Sequence, residues 1–237
     1  MPAQNKATAK RPAESRWRNA DAYLFDIDGT LLNSRDGVHY NAFRRALREV
    51  YGLDMSIDGV PVHGNTDVGI LRAVVRNGGL SDEIFGKKLS AAIQLMCEDA
   101  GRNAAEMSPM LCSSVAELLN QLHLVGKLLG VVSGNLEPIG WSKLEAAGVR
   151  HLFAFGSFSG ARELRQEIFS HGLDEARRRL GNDALIYFVG DTPADVAAAK
   201  AVGAPIIAVA TGIYELEELR SHGPDWCVSC CTELLSD

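Results

Sequence analysis

The sequence of 237 residues lacks the long hydrophobic run that a membrane-spanning helix needs. Its longest apolar stretches, near residues 128–132 and 184–189, are far shorter than the roughly eighteen residues that cross a bilayer, and they have the length of buried strands. The chain also lacks the basic excess of nucleic-acid-binding proteins, because its formal net charge is −6 and its pI is about 5.5. These absences favour a soluble protein, monomeric or homodimeric, whose partner is a small molecule and not a membrane or a nucleic acid.

Cysteine is scarce as well, with five residues and no spacing that indicates a disulfide framework. Cys227 and Cys230 form a single CxxC motif followed by Cys231, but no second pair or nearby histidine completes a zinc site. We therefore expect reduced cysteines near a final strand, as in a cytoplasmic protein.

The amino-terminal residues lack the apolar segment of a secretory signal. Residues 1–18 carry five Lys or Arg against one acidic residue, with two prolines. This composition favours a disordered basic tail over residues 1–19, with an organellar transit segment as the alternative.

Short apolar runs alternate with stretches of helical periodicity through most of the chain. Because parallel strands joined by helices place those helices on both faces of the sheet, this order predicts an α/β fold with a doubly wound parallel sheet. The predicted strands lie at residues 23–25, 128–132, 153–158, 184–189 and 205–210, and the helices at 115–125, 136–147, 164–180 and 194–201.

Residues 36–110 break this alternation, because they show amphipathic helices and no convincing strand. This insert follows the carboxyl end of the first strand, where open α/β sheets bind ligands. We therefore divide the chain into a core domain of residues 20–35 and 111–237 and a helical cap domain of residues 36–110. The helices of the cap are predicted near 40–51, 68–75 and 84–97.

A pair of acidic residues ends the first predicted strand. In YLFDIDGTLL, Asp26 and Asp28 are separated by one residue and followed by Gly29 and Thr30. Two carboxylates this close repel each other by about 1 kcal/mol in water and about 4 kcal/mol at partial burial. A surface turn is one explanation, since Asp-Gly is common in turns. If the strand continues, however, its alternation directs both carboxylates to one side, where a bound cation would relieve their repulsion.

Polar side chains also follow two later strands. In GDTPAD, Thr192 and Asp195 suit the cap and the first turn of a helix, which leaves Asp191 without a local role. In VVSGN, Asn135 is expected to cap the next helix, while Ser133 and the free N–H groups of the turn could receive an anion.

A basic residue at the start of the predicted 164–180 helix completes the candidate site. A cation at Arg162 or Arg165 opposes the helix dipole unless an anion holds it there. Together these loops place at least three carboxylates, a hydroxyl and a guanidinium at one edge of the sheet. A hard divalent cation would gather the carboxylates, and Mg²⁺ bound together with phosphate oxygens fits best. The residues therefore predict a magnesium site and a phosphorylated substrate.

These motifs resemble those of the haloacid dehalogenase superfamily, and within it the phosphoglycolate phosphatase-like members with a helical cap. DIDGT is similar to the first motif of that family, VVSG to the second and GDTPAD to the fourth, in the right order. The third motif differs, because many relatives carry a lysine there and no lysine lies between Lys143 and Lys200. Some relatives carry arginine in a segment such as R-x-E-L. Arg165 matches that segment best, with Arg162 as the alternative.

The resemblance implies a Mg²⁺-dependent phosphatase that hydrolyses a small organic phosphomonoester, phosphoglycolate-like or a sugar phosphate, through an aspartyl-phosphate intermediate. Asp26 would be the nucleophile and Asp28 the general acid and base. Asp26, Asp28 and Asp191 would hold the metal, and Asp195 would orient these groups without binding the metal itself. The phosphate-binding residues that the resemblance implies are Gly29, Thr30, Ser133, Gly134, Asn135 and Arg165, of which Ser133 and Arg165 would also take part in catalysis.

Two other functions are left open, a phosphoglucomutase-type phosphotransferase and a non-catalytic phosphate-binding module. A non-catalytic module is disfavoured because none of the three acidic residues is missing. Within the cap, the loop-like segment VPVHGNTD resembles a substrate-facing cap segment of the family. Its candidate substrate contacts are His63, Asn65 and Thr66, although capping of a helix is the favoured role for Thr66.

Overall fold

The computed structural model describes residues 17–235 of the chain, in which a six-stranded parallel sheet forms the centre. The strands span Ala22–Phe25 (β1), Leu32–Asn33 (β2), Met110–Leu111 (β3), Leu128–Leu136 (β4), Phe155–Ser159 (β5), Ile186–Gly190 (β6), Ile206–Val209 (β7) and Trp226–Val228 (β8). The central sheet contains all of these strands except β2 and β3, in the order β5-β4-β1-β6-β7-β8. In this order β1 lies between β4 and β6. The predicted α/β fold is confirmed.

Helices outside the insert cover both faces of this sheet. The α-helices of the described residues span Val38–Ala46 (α1), Asp67–Asn77 (α2), Asp82–Arg102 (α3), Val115–Leu124 (α4), Glu137–Ala146 (α5), Arg165–Leu180 (α6), Pro193–Ala201 (α7) and Leu216–Ser221 (α8). Tyr23 and Phe25 of β1 belong to the same buried cluster as α4 and α5, whereas Ala22 and Leu24 pack with α6 and α7. Alternate residues of a buried strand thus serve two cores, as a doubly wound sheet requires.

The helices α1, α2 and α3 form a separate group with its own buried cluster. The group lies between β2 and β3, which pair as a short antiparallel ribbon through Leu32 and Leu111 and through Asn33 and Met110. Its cluster includes Phe43, Leu71, Phe85 and Met96, and it also contains Leu136 of β4 and Ile139 of α5. The insert therefore has a buried cluster of its own helices that continues onto the end of β4, and the division of the chain into a core and a helical cap remains a proposal.

The structure departs from the sequence predictions at several short elements. β2, β3 and α8 were not predicted, because segments of two to six residues are too short to show a periodic pattern. β4 continues to Leu136, four residues beyond the predicted end of that strand. Most of the predicted tail of residues 1–19 lies outside the described residues, but Trp17 is buried in the core. In the described range no helix is long and apolar enough to cross a bilayer.

Candidate active site

The site begins at the carboxyl end of β1, where the strand gives way to a tight turn. Asp26 follows Phe25 directly and is 5% exposed, whereas the side chain of Asp28 is 44% exposed. Gly29 has a φ of +84°, and a Cβ added there would lie 2.2 Å from Asp191 Oδ2. The turn therefore requires glycine both for its left-handed backbone and for its close approach to Asp191.

Asp191 follows the neighbouring strand β6 and meets the β1 turn. Thr30 Oγ1 donates a hydrogen bond of 2.9 Å to Asp191 Oδ1. Carboxylate oxygens of Asp26, Asp191 and Asp195 all lie within 4.8 Å of one another. The parallel sheet thus brings together acidic residues from distant parts of the chain, as their positions after predicted strands indicated.

Arg165 is the first residue of α6 and supplies a buried guanidinium to this acidic cluster. Its Nη2 lies 3.0 Å from Asp26 Oδ2, and its Nε donates a hydrogen bond of 2.8 Å to Asp195 Oδ1. Asp195 and Thr192 cap α7 reciprocally: the Asp195 N–H donates to Thr192 Oγ1, and the Thr192 N–H donates to Asp195 Oδ2. The same carboxylate therefore fixes both a helix start and the guanidinium.

Burial and mutual repulsion disturb the titration of two of these carboxyl groups. The pKa of Asp26 is raised to about 7, chiefly by burial, with Arg165 opposing the rise and Asp195 and Asp28 adding to it. The pKa of Asp191 is raised to about 8, again chiefly by burial, and the nearby charges of Asp195 and Asp26 contribute to the rise. A single guanidinium thus leaves excess negative charge at this end of the site, which a divalent cation would offset.

Lys143 is a site residue that the sequence motifs did not reveal. It lies on α5, is 4% exposed, and its Nζ donates hydrogen bonds of 2.8 Å to both carboxylate oxygens of Asp28. Burial would raise the pKa of Asp28, but Lys143 and a hydrogen bond from Asn135 lower it below its ordinary value. The overlooked signal is the position of Lys143 on the buried face of α5, four residues after Ile139 and beside Leu144.

Asn135 does not cap α5, which corrects the role predicted for it. The helix begins at Glu137 after an N-cap at Leu136, and Asn135 is still within β4. Its Nδ2 donates hydrogen bonds of 2.7 Å to Asp28 Oδ2 and 2.8 Å to Ser133 Oγ, while its Oδ1 accepts one of 2.8 Å from Lys143. Asn135 therefore links the side chain of Asp28 to that of Ser133.

The helical insert lies directly against the core loops of the site. Thr66 Oγ1 donates a hydrogen bond of 2.6 Å to the Glu163 carbonyl, and Arg72 binds the Glu163 carboxylate with N–O distances of 2.5 and 2.6 Å. Asp67 Oδ2 accepts a hydrogen bond of 2.7 Å from the Leu136 N–H. These contacts hold α2 of the insert over the carboxyl edge of the sheet.

The loop before α2 touches the end of β4. A Cβ added at Gly134 would lie 2.2 Å from the Asn65 carbonyl oxygen, so the two backbones meet without an intervening side chain. His63 and Asn65 line the resulting cavity, whereas Thr66 is buried and caps α2 by accepting a hydrogen bond from the Gly69 N–H.

The cavity between the core loops and the insert has a volume of about 200 Å³. Most of the site residues predicted from the motifs line this cavity, and apolar side chains of the insert line it from the other side. Its core side includes Asp26, Asp28, Ser133, Gly134, Asn135, Lys143 and Arg165, and its insert side includes His39, Phe43, Ile57, Val62, Asp67 and Ile70.

A parallel α/β sheet with an acidic cluster at its carboxyl edge and a helical insert over it defines a class of hydrolases. The model of the haloacid dehalogenase-like hydrolases matches residues 20–203, and the chain belongs to this family. The match covers the core strands from β1 to β6 and the whole insert.

Individual relatives agree with this assignment over nearly the full chain. The phosphoglycolate phosphatase of Synechococcus elongatus is 28% identical over 221 residues, which cover 90% of this chain and 95% of the relative. The tyrosine-protein kinase PtkA of Mycobacterium tuberculosis is 28% identical over 211 residues, covering 85% of this chain and 66% of the relative. The predicted resemblance to phosphoglycolate phosphatase-like members is therefore confirmed.

The fold is shared with solved structures at lower sequence identity. CbbY from Rhodobacter sphaeroides, solved in complex with phosphate, superposes with a TM-score of 0.67 at 19% identity. The superposition covers 91% of this chain and 96% of CbbY, so it includes both the sheet and the helical insert.

Proposed function

We propose that this hydrolase is a Mg²⁺-dependent phosphatase that acts on a small organic phosphomonoester. The observation that carries the proposal is the contact between Asp26 and Arg165, which both line the cavity, within a cluster of three carboxylates. A guanidinium can bind two phosphoryl oxygens at once and keeps its charge at any working pH. Arg165 is therefore suited to guide a phosphoryl group to Asp26.

Asp26 acts as the nucleophile in this proposal. One of its carboxylate oxygens forms a bond to phosphorus while the bond from phosphorus to the alcohol oxygen breaks, and the departing oxygen takes a proton from Asp28. In the second step Asp28 takes a proton from water, the water oxygen attacks phosphorus, and the bond to Asp26 breaks to release inorganic phosphate. Two displacements with acid-base help replace one difficult direct attack.

Lys143 tunes Asp28 for the second step. The lowered pKa of Asp28 favours its ionised form, which is the form that accepts a proton from water. In the substrate complex, the adjacent phosphoryl group adds negative charge that raises the pKa of Asp28 and favours the protonated form needed in the first step. Lys143 and Asn135 also keep the carboxylate directed at the cavity.

The acidic cluster fits Mg²⁺ on the evidence of its own geometry. Burial, with the repulsion of neighbouring carboxylates added, raises the pKa of Asp26 to about 7 and that of Asp191 to about 8, and a bound cation would offset both effects. Added Cβ atoms at Gly29 and Gly212 would lie 2.2 and 1.8 Å from Asp191 Oδ2, so glycines keep space open around this carboxylate. Asp26, Asp191 and the Asp28 carbonyl would hold the ion, which when bound neutralises charge on the phosphoryl oxygens.

The remaining site residues hold or orient the phosphoryl group. Ser133 and the N–H of Gly134 lie near the end of β4 and line the cavity, where they can donate hydrogen bonds to phosphoryl oxygens. Thr30 orients Asp191, and Asp195 fixes the guanidinium of Arg165. Each role can be tested separately because these side chains come from different loops.

The proposal is tested with para-nitrophenyl phosphate. Purified protein should release para-nitrophenol in the presence of Mg²⁺ and stop when EDTA removes the ion. Asp26→Ala should lower kcat by about 10³-fold or more, whereas Asp183→Ala, at an exposed acid in the loop before β6, should leave kcat unchanged. Undiminished hydrolysis by Asp26→Ala would exclude Asp26 as the nucleophile. Failure of the unaltered protein to hydrolyse any phosphomonoester would exclude the proposed function.

A further inference from the structure

The two ends of the cavity differ in their chemistry. The core end carries the carboxylates, the hydroxyl and the basic side chains that would handle the phosphoryl group. The insert end, which the alcohol portion of the substrate would occupy, presents Phe43, Ile57, Val62 and Ile70. An apolar wall binds uncharged carbon and hydrogen surface and offers no partner to an ionised group.

The lysine and the arginine that line the cavity already have acidic partners. Among the described residues, Lys143 and Arg165 are the only lysine and arginine that line it. Lys143 contacts both carboxylate oxygens of Asp28, and Arg165 contacts Asp26 and Asp195. Both cations also lie at the core end, so neither is placed to receive a second negative charge at the insert end.

The arginines of the insert that the structure pairs with acids form those pairs away from the cavity. Arg45 contacts Asp99, and Arg76 contacts Asp82. Arg72 contacts both Asp82 and Glu163, outside the cavity lining. The insert therefore brings no guanidinium into the space above the phosphoryl site.

Histidine does not supply the missing positive charge either. His39 Nε2 lies 3.0 Å from Asp67 Oδ2, and its ring stacks on Phe43 with 5.0 Å between centroids. Asp67 also lines the cavity, so this pair adds a carboxylate together with the imidazole. His63 lines the cavity mouth but is exposed, where solvent screens its interaction with an anion.

We propose that the enzyme selects phosphomonoesters of uncharged alcohols with an apolar portion and discriminates against acidic alcohols such as glycolate. This inference rests on the proposed function and narrows its substrate class. A carboxylate on the alcohol would lie against apolar side chains and near the carboxylates of Asp28 and Asp67, without a free cation among the described residues to offset it. The cavity volume of about 200 Å³ suits a small alcohol.

A matched pair of substrates tests the inference. 2-Phosphoglycolate and its amide, O-phosphoglycolamide, have the same skeleton and differ in one negative charge. The unaltered enzyme with Mg²⁺ should hydrolyse the amide with a kcat/KM about tenfold or more above that of the acid. An equal or higher kcat/KM for the acid would overturn the inference while leaving the phosphatase function intact. Hydrolysis of neither ester, nor of para-nitrophenyl phosphate, would overturn the phosphatase function and the inference with it.

A cation placed in the apolar wall should weaken or abolish the preference for the amide. Val62 lines the cavity from the loop before α2 and is only partly buried, so it accepts a longer side chain more readily than Ile70. Val62→Lys should raise the ratio of kcat/KM for acid over amide by about tenfold relative to Val62→Met, which has similar length without charge. A ratio that is lower in Val62→Lys than in Val62→Met would contradict the proposed placement of the alcohol at this wall.

Discussion

The core end and the insert end of the cavity are built on different principles. At the core end, hydrogen bonds and ion pairs from β1, β4, β6, α5 and α6 fix the acidic side chains. At the insert end, the wall is mostly apolar and packs on the cluster shared by α1, α2 and α3. In the proposed function, the chemistry would depend on the ends of sheet strands, whereas recognition of the alcohol would depend on helices and loops of the insert that can change without disturbing the sheet.

Among the substitutions that separate the roles of the two ends, a change at Asp28 is expected to lower kcat the most. Asp28→Asn removes the proton donor and acceptor but keeps the side-chain shape, so kcat should fall by about 10² to 10⁴-fold. The second step should suffer most, and phosphorylated protein should accumulate. Intact-protein mass spectrometry after rapid acid quench measures that species. Turnover within a few fold of the unaltered enzyme would remove Asp28 from its proposed role.

The next effect is expected at Lys143. Lys143→Met keeps the length of the side chain but removes the charge that holds Asp28, and kcat should fall by about 10- to 100-fold with little change in KM. Because the pKa of Asp28 would then rise, the acidic limb of the kcat-pH profile should move to higher pH.

Lys143→Arg is the matched control for that change. It restores a positive charge and should recover part of the activity and the original acidic limb of the profile. If Lys143→Met instead lowers the melting temperature without moving the pH profile, Lys143 is a structural residue only.

A metal-dependent stability test probes the core end alone. The pKa values of Asp26 and Asp191 are raised in the folded protein to about 7 and about 8, from ordinary values of 3.8. Their contribution to stability is thus fully present below about pH 4 and is lost as the pH rises through about 7 to 8. Mg²⁺ competes with the bound protons, so it should raise Tm more at about pH 8.5 than at about pH 6.

Thermal melts with and without Mg²⁺ at both pH values measure this difference. Asp191→Asn should remove most of the Mg²⁺ effect and flatten its dependence on pH, because one raised carboxyl group and one metal ligand are lost together. Equal stabilisation by Mg²⁺ at both pH values would argue against the ion binding at these carboxylates.

The smallest change in the kinetic constants is expected for a substitution where the insert meets the core. Arg72→Met breaks the contact with Glu163, a partly exposed ion pair whose contribution to stability is about 1 kcal/mol or less. KM should rise a few fold while kcat stays nearly constant, since no group at the core end is altered. Arg76→Met, which affects only an exposed pair within the insert, is the control. A loss of kcat equal to that of Lys143→Met would show that the two ends are not separable in function.

Much of the core end could be predicted from the sequence. Asp26, Asp28 and Asp191 follow apolar runs that become adjacent parallel strands, and such strands align their carboxyl ends. The capping role of Thr192 and Asp195 is local in sequence and was also visible. These features follow from short-range patterns together with one rule of sheet topology.

Lys143 and Asn135 could not be assigned from local patterns. Lys143 contacts Asp28 across 115 residues, and only the docking of α5 against the sheet brings them together. Asn135 resembled a helix cap, but the Leu136 N–H donates to Asp67 of the insert, and β4 continues to that point. Contacts between distant segments therefore decided both roles, as tertiary context often does.

The contact between Gly134 and the Asn65 carbonyl has a consequence for the cavity. Because position 134 carries no side chain, the insert can approach the end of β4 until main chain meets main chain. Even a single methyl group at this point would hold the insert away from the core and widen the cavity between them. The close approach of the two halves thus depends on the smallest residue type in the chain.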